Sequence, residues 1–102
     1  MNPNYKLIIV YNILPDHYDR YYRYVLGEFV PGLRELGLHM SFAWHIAYGN
    51  YPVRQLEFLC ESRENAKTAF CSPQWQQLIA ELKIYTTDFR IKWVRFEDRF
   101  QL

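Results

Sequence analysis

The chain has 102 residues, half of them apolar and 19% aromatic, enough to build one hydrophobic core and far from the composition of a disordered segment. Twelve lysines and arginines against eleven aspartates and glutamates leave no net field to collect phosphate polymers or anionic lipid, so nucleic acid and membrane surfaces are disfavoured as partners. Two cysteines, Cys60 and Cys71, without zinc or redox spacing argue against a disulfide framework, and both are expected to be reduced core thiols.

The opening Met1-Asn2-Pro3-Asn4-Tyr5-Lys6 carries no basic run ahead of an apolar stretch, and Leu7 to Val10 is strand-length, which predicts a cytoplasmic protein. Tyr5 to Ile13, dense in β-branched and aromatic residues, is the first strand, closed by Pro15 and a capping Asp16. Tyr18, Tyr22, Val25 and Phe29 recur at helical spacing and define the core stripe of a first helix. Tyr21 and Tyr24 are then expected on another face, covering Arg20 and Arg23. Pro31 falls inside that pattern and predicts a kink or a restart before Leu33, Leu36 and a stop at Gly37.

Leu38 to Tyr48 alternates, with Met40, Phe42, Trp44 and Ile46 pointing one way and His39, Ser41, Ala43 and His45 the other. Gly49-Asn50 and Pro52 turn it into a third strand, Val53 to Cys60. A second helix in two pieces follows, capped by Ser62 and restarted at Ser72-Pro73, with Trp75, Leu78, Ile79 and Leu82 as its later stripe. Thr86-Thr87-Asp88 turns the chain into a last strand, Phe89 to Phe96.

The order βαββαβ predicts a single α+β domain over residues 1–102, ferredoxin-like, with both helices on one face of a four-stranded antiparallel sheet. Strand one is apolar in both parities, so the other face also calls for cover. The expected partner is a second copy of the chain, docked through that open face.

The runs Tyr18-Asp19-Arg20-Tyr21-Tyr22, Phe29-Val30-Pro31-Gly32-Leu33 and Phe70-Cys71-Ser72-Pro73-Gln74-Trp75-Gln76-Gln77-Leu78 resemble the dimeric α+β barrel superfamily, especially its EthD-like and NIPSNAP-like branches. The resemblance implies a homodimeric barrel, in a superfamily that includes cofactor-free monooxygenases, isomerases, cyclases and haem-degrading enzymes. Glu28-Phe29-Val30 stands where the EthD-like branch carries a histidine before the helix-one proline. Asn12 and Trp75 imitate two residues of the haem-degrading branch, but helix two has no histidine to complete them, so no haem or other cofactor is expected. The three histidines and the acids show no ligand spacing for a metal.

The candidate chemistry centres on His45 and His39, placed on one side of strand two beside the small Ser41, Ala43 and Ala47. Depending on hairpin register, His45 meets Arg54 or Leu56, or else Gln55 and the orienting carboxylate of Glu57. Tyr11 or Tyr48 is the candidate to hold an oxygen, and Asn12, Trp44, Tyr48 and Glu57 are candidate ligand contacts. The structural alternative makes the histidines and Glu57 satisfied polar spots in a dimer interface. Two function classes stay open: a cofactor-independent enzyme on a small aromatic or polyketide-like molecule, and a non-catalytic homodimeric binding or scaffold module. RNA recognition on the open face is excluded by strand three, Arg54 to Glu61, which lacks the glycine-spaced aromatic motif and carries two glutamates.

Overall fold

The computed structural model describes residues 5–48 and 51–95, with side chains at all of these except 46–48, 51 and 52. Strand β1 (Tyr5–Ile13) is followed by a 3-10 turn (Pro15–His17), helix α1 (Tyr18–Tyr24), a π-helical turn (Val25–Phe29) and helix α2 (Val30–Glu35). The hairpin β2 (His39–Tyr48) and β3 (Tyr51–Cys60) leads to α3 (Arg63–Phe70), α4 (Pro73–Ile84) and β4 (Thr86–Arg95). The four strands form one antiparallel sheet in the order β2-β3-β1-β4, the ferredoxin-like topology expected from the element order. The Gly49-Asn50 turn and Phe96 lie outside the described residues.

The helices cover one face of the sheet. Leu7, Ile9, Tyr11 and Ile13 of β1 point into that layer and are fully buried, joined there by Phe58, Phe29, Leu33, Leu38 and Leu82. Their neighbours Lys6, Ile8, Val10 and Asn12 alternate onto the open face and are half-buried. Among the described residues no helix is long and apolar enough to cross a membrane.

Helix one differs from its sequence reading in phase. Val25 and Phe29 of the expected stripe are buried, but in the turns before them Tyr21 and Tyr24 are buried while Tyr18 is half-buried and Tyr22 is 38% exposed, so the first half of the stripe is displaced and the ring-over-arginine role of Tyr21 and Tyr24 is overturned. The tyrosines at 18, 21, 22 and 24 fit two stripes equally well, and the hydroxyls decide between them. Tyr21 reaches Tyr11, Tyr24 donates to the Leu78 carbonyl at 2.6 Å, and Tyr22 stays at the rim with Arg54. As expected, the helix restarts at Pro31, resuming as α2 at Val30 with Pro31 in its first turn. The wider π turn accommodates the proline: the Val30 N–H reaches the Val25 carbonyl five residues back, and helical dihedrals run unbroken through Phe29 and Val30. Gly37, at φ +89°, ends the helix in a Schellman arrangement, with Leu38 N–H on Leu33 O at 2.8 Å and Gly37 N–H on Arg34 O at 3.0 Å.

Helix two is broken as expected, with the Ser62 hydroxyl accepting from Asn65 N–H and the Ser72 hydroxyl from Trp75 N–H, both at 3.1 Å. Cys60 is buried, but Cys71 is exposed, because the chain turns outward between α3 and α4. Strand β4 begins at Thr86 rather than Phe89. The expected turn is a bulge against β1 between Val10 and Asn12, with Asp88 at φ 53°, and the Thr86 hydroxyl donates to the Leu82 carbonyl.

The clean alternation expected of β2 does not hold. Met40 pairs with Phe58 and Phe42 with Glu57, so Ser41 is an extra residue in a β-bulge, its hydroxyl donating to the Glu57 carbonyl at 3.3 Å. Facing residues of an antiparallel ladder share a side of the sheet, which places Met40, Ala43 and His45 toward the helices and His39, Phe42 and Trp44 on the open face. His39 and His45, expected side by side, therefore lie on opposite faces.

Candidate functional site

At the carboxyl end of β1, under α1, the helix-side layer becomes polar. The Tyr11 and Tyr21 hydroxyls share a hydrogen bond of 2.5 Å, their rings meet edge to face at 5.8 Å, and Phe89 stacks on Tyr11 at 6.1 Å. Arg54 lies beside them, opposite Tyr11 in the ladder. It donates through Nη2 to the Tyr22 hydroxyl and sets its guanidinium 5.3 Å from the centre of that ring. Its Nε is buried without a hydrogen-bond partner among the described residues. Burial is the main cause that raises the pKa of Tyr11 and of Tyr21, while the Arg54 charge opposes it in both. Both phenols are thus neutral hydrogen-bonding groups rather than bases.

The register settles the neighbour of His45. It pairs with Arg54, not with Gln55 or Glu57, so the Glu57 carboxylate does not orient it. His45 is exposed at the rim of this layer, while Tyr11 and Tyr21 are closed off at 0% and 1% exposure. Arg54, Tyr21 and Phe89 were not among the residues singled out for chemistry. A signal existed for the first: Arg54 shares its strand parity with the buried Leu56, Phe58 and Cys60, and a cation in a buried row calls for an explanation.

The remaining candidates face the other way. Glu57 is buried on the open face, with Lys6 Nζ at 3.2 Å and Gln55 Nε2 donating to it at 2.8 Å. Asn12 donates to the Asp88 carboxylate at 2.9 Å across the β4 bulge. Trp44 stacks on Phe42 with ring centroids 5.6 Å apart. A shallow groove of about 640 Å³, lined by Ile8, Val10, Gln55, Arg90, Ile91 and Lys92, runs along this face. The side chain of Tyr48 lies outside the described residues. The structure therefore divides the candidates between Tyr11 and His45 on the helix side and His39, Asn12, Trp44 and Glu57 on the open side. Among the described residues no group of His, Cys, Asp and Glu is arranged to hold a metal ion.

A four-stranded antiparallel sheet in this order, with helices on one face, defines the ferredoxin-like α+β fold. Solved structures share it along nearly the whole chain. A NIPSNAP domain protein from Burkholderia xenovorans is 10% identical at a TM-score of 0.68, covering 95% of this chain and 98% of its own. A NIPSNAP family protein from Agrobacterium tumefaciens is 13% identical at 0.70, covering 96% and 90%. A Bacteroides thetaiotaomicron protein, described as of unknown function and a possible oxidoreductase, is 9% identical at 0.70, covering 94% and 100%. At such identity the likeness is one of fold. No family model and no curated protein matches the sequence.

Proposed function

We propose that the chain is a homodimeric, non-catalytic binding or scaffold module that closes its open sheet face against a second copy. The observation that carries this reading is the character of that face. Ile8, Val10, Val53, Leu59 and Val94 are half-buried there, and Phe42 and Trp44 are 56% and 49% exposed, while the buried Glu57 already holds Lys6 and Gln55. Covering it removes apolar area from water at roughly 25 cal/mol per Å² and leaves that carboxylate paired. The helix side weighs against catalysis by the tyrosines, since Tyr11 and Tyr21 are packed shut and hydrogen-bonded to each other.

One observation favours a cofactor-independent enzyme as a second reading. His45 is exposed and pairs with Arg54, so an imidazole base and a guanidinium able to hold an enolate oxygen sit on facing strands. The description of the Bacteroides protein as a possible oxidoreductase points the same way. Its substrate would be a small aromatic or polyketide-like molecule. Light scattering, followed by a thermal-shift and turnover screen of aromatic acids and quinones, separates the readings. A dimer that gains stability from a ligand without turnover supports the module; turnover lost in His45→Ala replaces it with the enzyme, and a monomer overturns the homodimer.

A further inference from the structure

We propose that the two-fold axis of the homodimer runs parallel to the strands, so that Arg90 of each copy covers the partner's Trp44 and Lys92 covers the partner's Phe42. The inference rests on the homodimer reading and adds its register. Strands β2 and β4 are the two edges of the sheet, and on the open face they differ in kind. The β2 edge presents Phe42 and Trp44, exposed and stacked with 23° between their planes. The β4 edge presents Arg90 and Lys92, both exposed, and among the described residues no carboxylate lies within ion-pair distance of either.

A two-fold axis that stacks one such face on its copy lies in the plane between the two sheets. Set across the strands, it would lay β4 on the partner's β4 and bring Arg90 and Lys92 against their own copies in a drying interface, where like charges repel most strongly. Set along the strands, it exchanges the edges and leaves every residue at its own height. The ladder gives those heights directly. Phe42 faces Glu57, Glu57 faces Ile8 and Ile8 faces Lys92 in one row; Trp44, Gln55, Val10 and Arg90 make another. Rotation therefore sets Lys92 above the partner's Phe42 and Arg90 above the partner's Trp44 without any slip of register. Stacked sheets lie about 10 Å apart, a gap that a long cationic side chain from one copy and an aromatic ring from the other fill between them. Between the edges, Ile8 and Val10 meet the partner's Glu57 and Gln55, which are already hydrogen-bonded to each other within one copy.

A double-mutant cycle on the dissociation constant tests the register, using the full chain and analytical ultracentrifugation. Trp44→Ala and Arg90→Ala are each expected to weaken the dimer about tenfold, because each removes both copies of one cation–π pair. The double variant is expected to be scarcely weaker than either single. Within one copy the two residues are three strand spacings apart, roughly 14 Å, so coupling between them has to cross the interface. Phe42→Ala with Lys92→Ala forms a second cycle with the same expectation, and circular dichroism checks that these exposed substitutions leave the fold intact. Multiplicative losses in both cycles, about a hundredfold in each double variant, overturn the register while the dimer stands. A wild type that stays monomeric at every concentration overturns the homodimer itself.

Discussion

Tyr11 and Tyr21 are the residues with the most at stake. Each buried hydroxyl is satisfied by the other, and Tyr11→Phe leaves the Tyr21 oxygen without that partner, which is expected to cost about 1–3 kcal/mol in urea unfolding. Both phenols have folded pKa values raised above the ordinary tyrosine value, chiefly by burial. Their contribution to stability is therefore complete below the unfolded pKa and declines as pH rises beyond it, since the unfolded chain then releases protons the folded chain retains. Unfolding free energies measured between about pH 8 and about pH 11 are expected to fall above pH ~10, and Tyr11→Phe to shallow that fall. A flat profile would show that these phenols are hydrated. Tyr11 was legible in the sequence as the residue to watch, by its place at the end of an apolar strand. Its partner was not, because four tyrosines within seven positions of helix one leave the helical phase undetermined until a hydroxyl finds its bond.

Secondary-structure elements were legible wherever backbone chemistry decides locally, as at the serine caps, the Gly37 stop and the alternation of β1. They were not legible where one extra residue is absorbed. Ser41 in the β2 bulge rephases the side chains beyond it and separates His39 from His45, and the π turn takes up an extra residue just before Pro31. The caps also differ in what they connect. The Ser72 hydroxyl accepts from Trp75 N–H and donates to the Ala69 carbonyl at 2.7 Å, joining α3 to α4, whereas the Ser62 hydroxyl accepts from Asn65 N–H within its own helix. Ser72→Ala is expected to cost more than Ser62→Ala, toward the upper end of about 0.5–2 kcal/mol, in parallel chemical denaturation. Two helical glycines give an opposed pair. A Cβ at Gly27 meets nothing within 4 Å, so Gly27→Ala is expected to gain up to about 1 kcal/mol from helix propensity. At Gly32 the same Cβ falls 2.9 Å from Leu78 Cδ1, and moving that side chain offsets the gain, so Gly32→Ala is expected to leave the midpoint nearly unchanged.

At the scale of the whole molecule, the strand order followed from element order and crossover handedness, which is why the topology was legible when the facing of individual side chains was not. The same layering makes folding and association separable. The core between sheet and helices is complete within one chain, with Leu7, Ile9, Phe29, Leu33, Leu38 and Phe58 at 0% exposure, and it draws nothing from the open face. If the chain pairs as proposed, a charge placed in the middle of that face is expected to dissolve the proposed dimer and spare the fold. Val10 is half-buried there, between Gln55 and Arg90 in its row. Val10→Arg adds a further cation beside Arg90 and removes apolar contact at the centre of the proposed interface. By light scattering the variant is expected to be a monomer. Its melting temperature should lose the rise with protein concentration that mass action imposes on a dimer, while its circular dichroism spectrum matches the parent. A variant that unfolds outright would mean that the chain depends on its copy to fold, and the two layers would then be one cooperative unit.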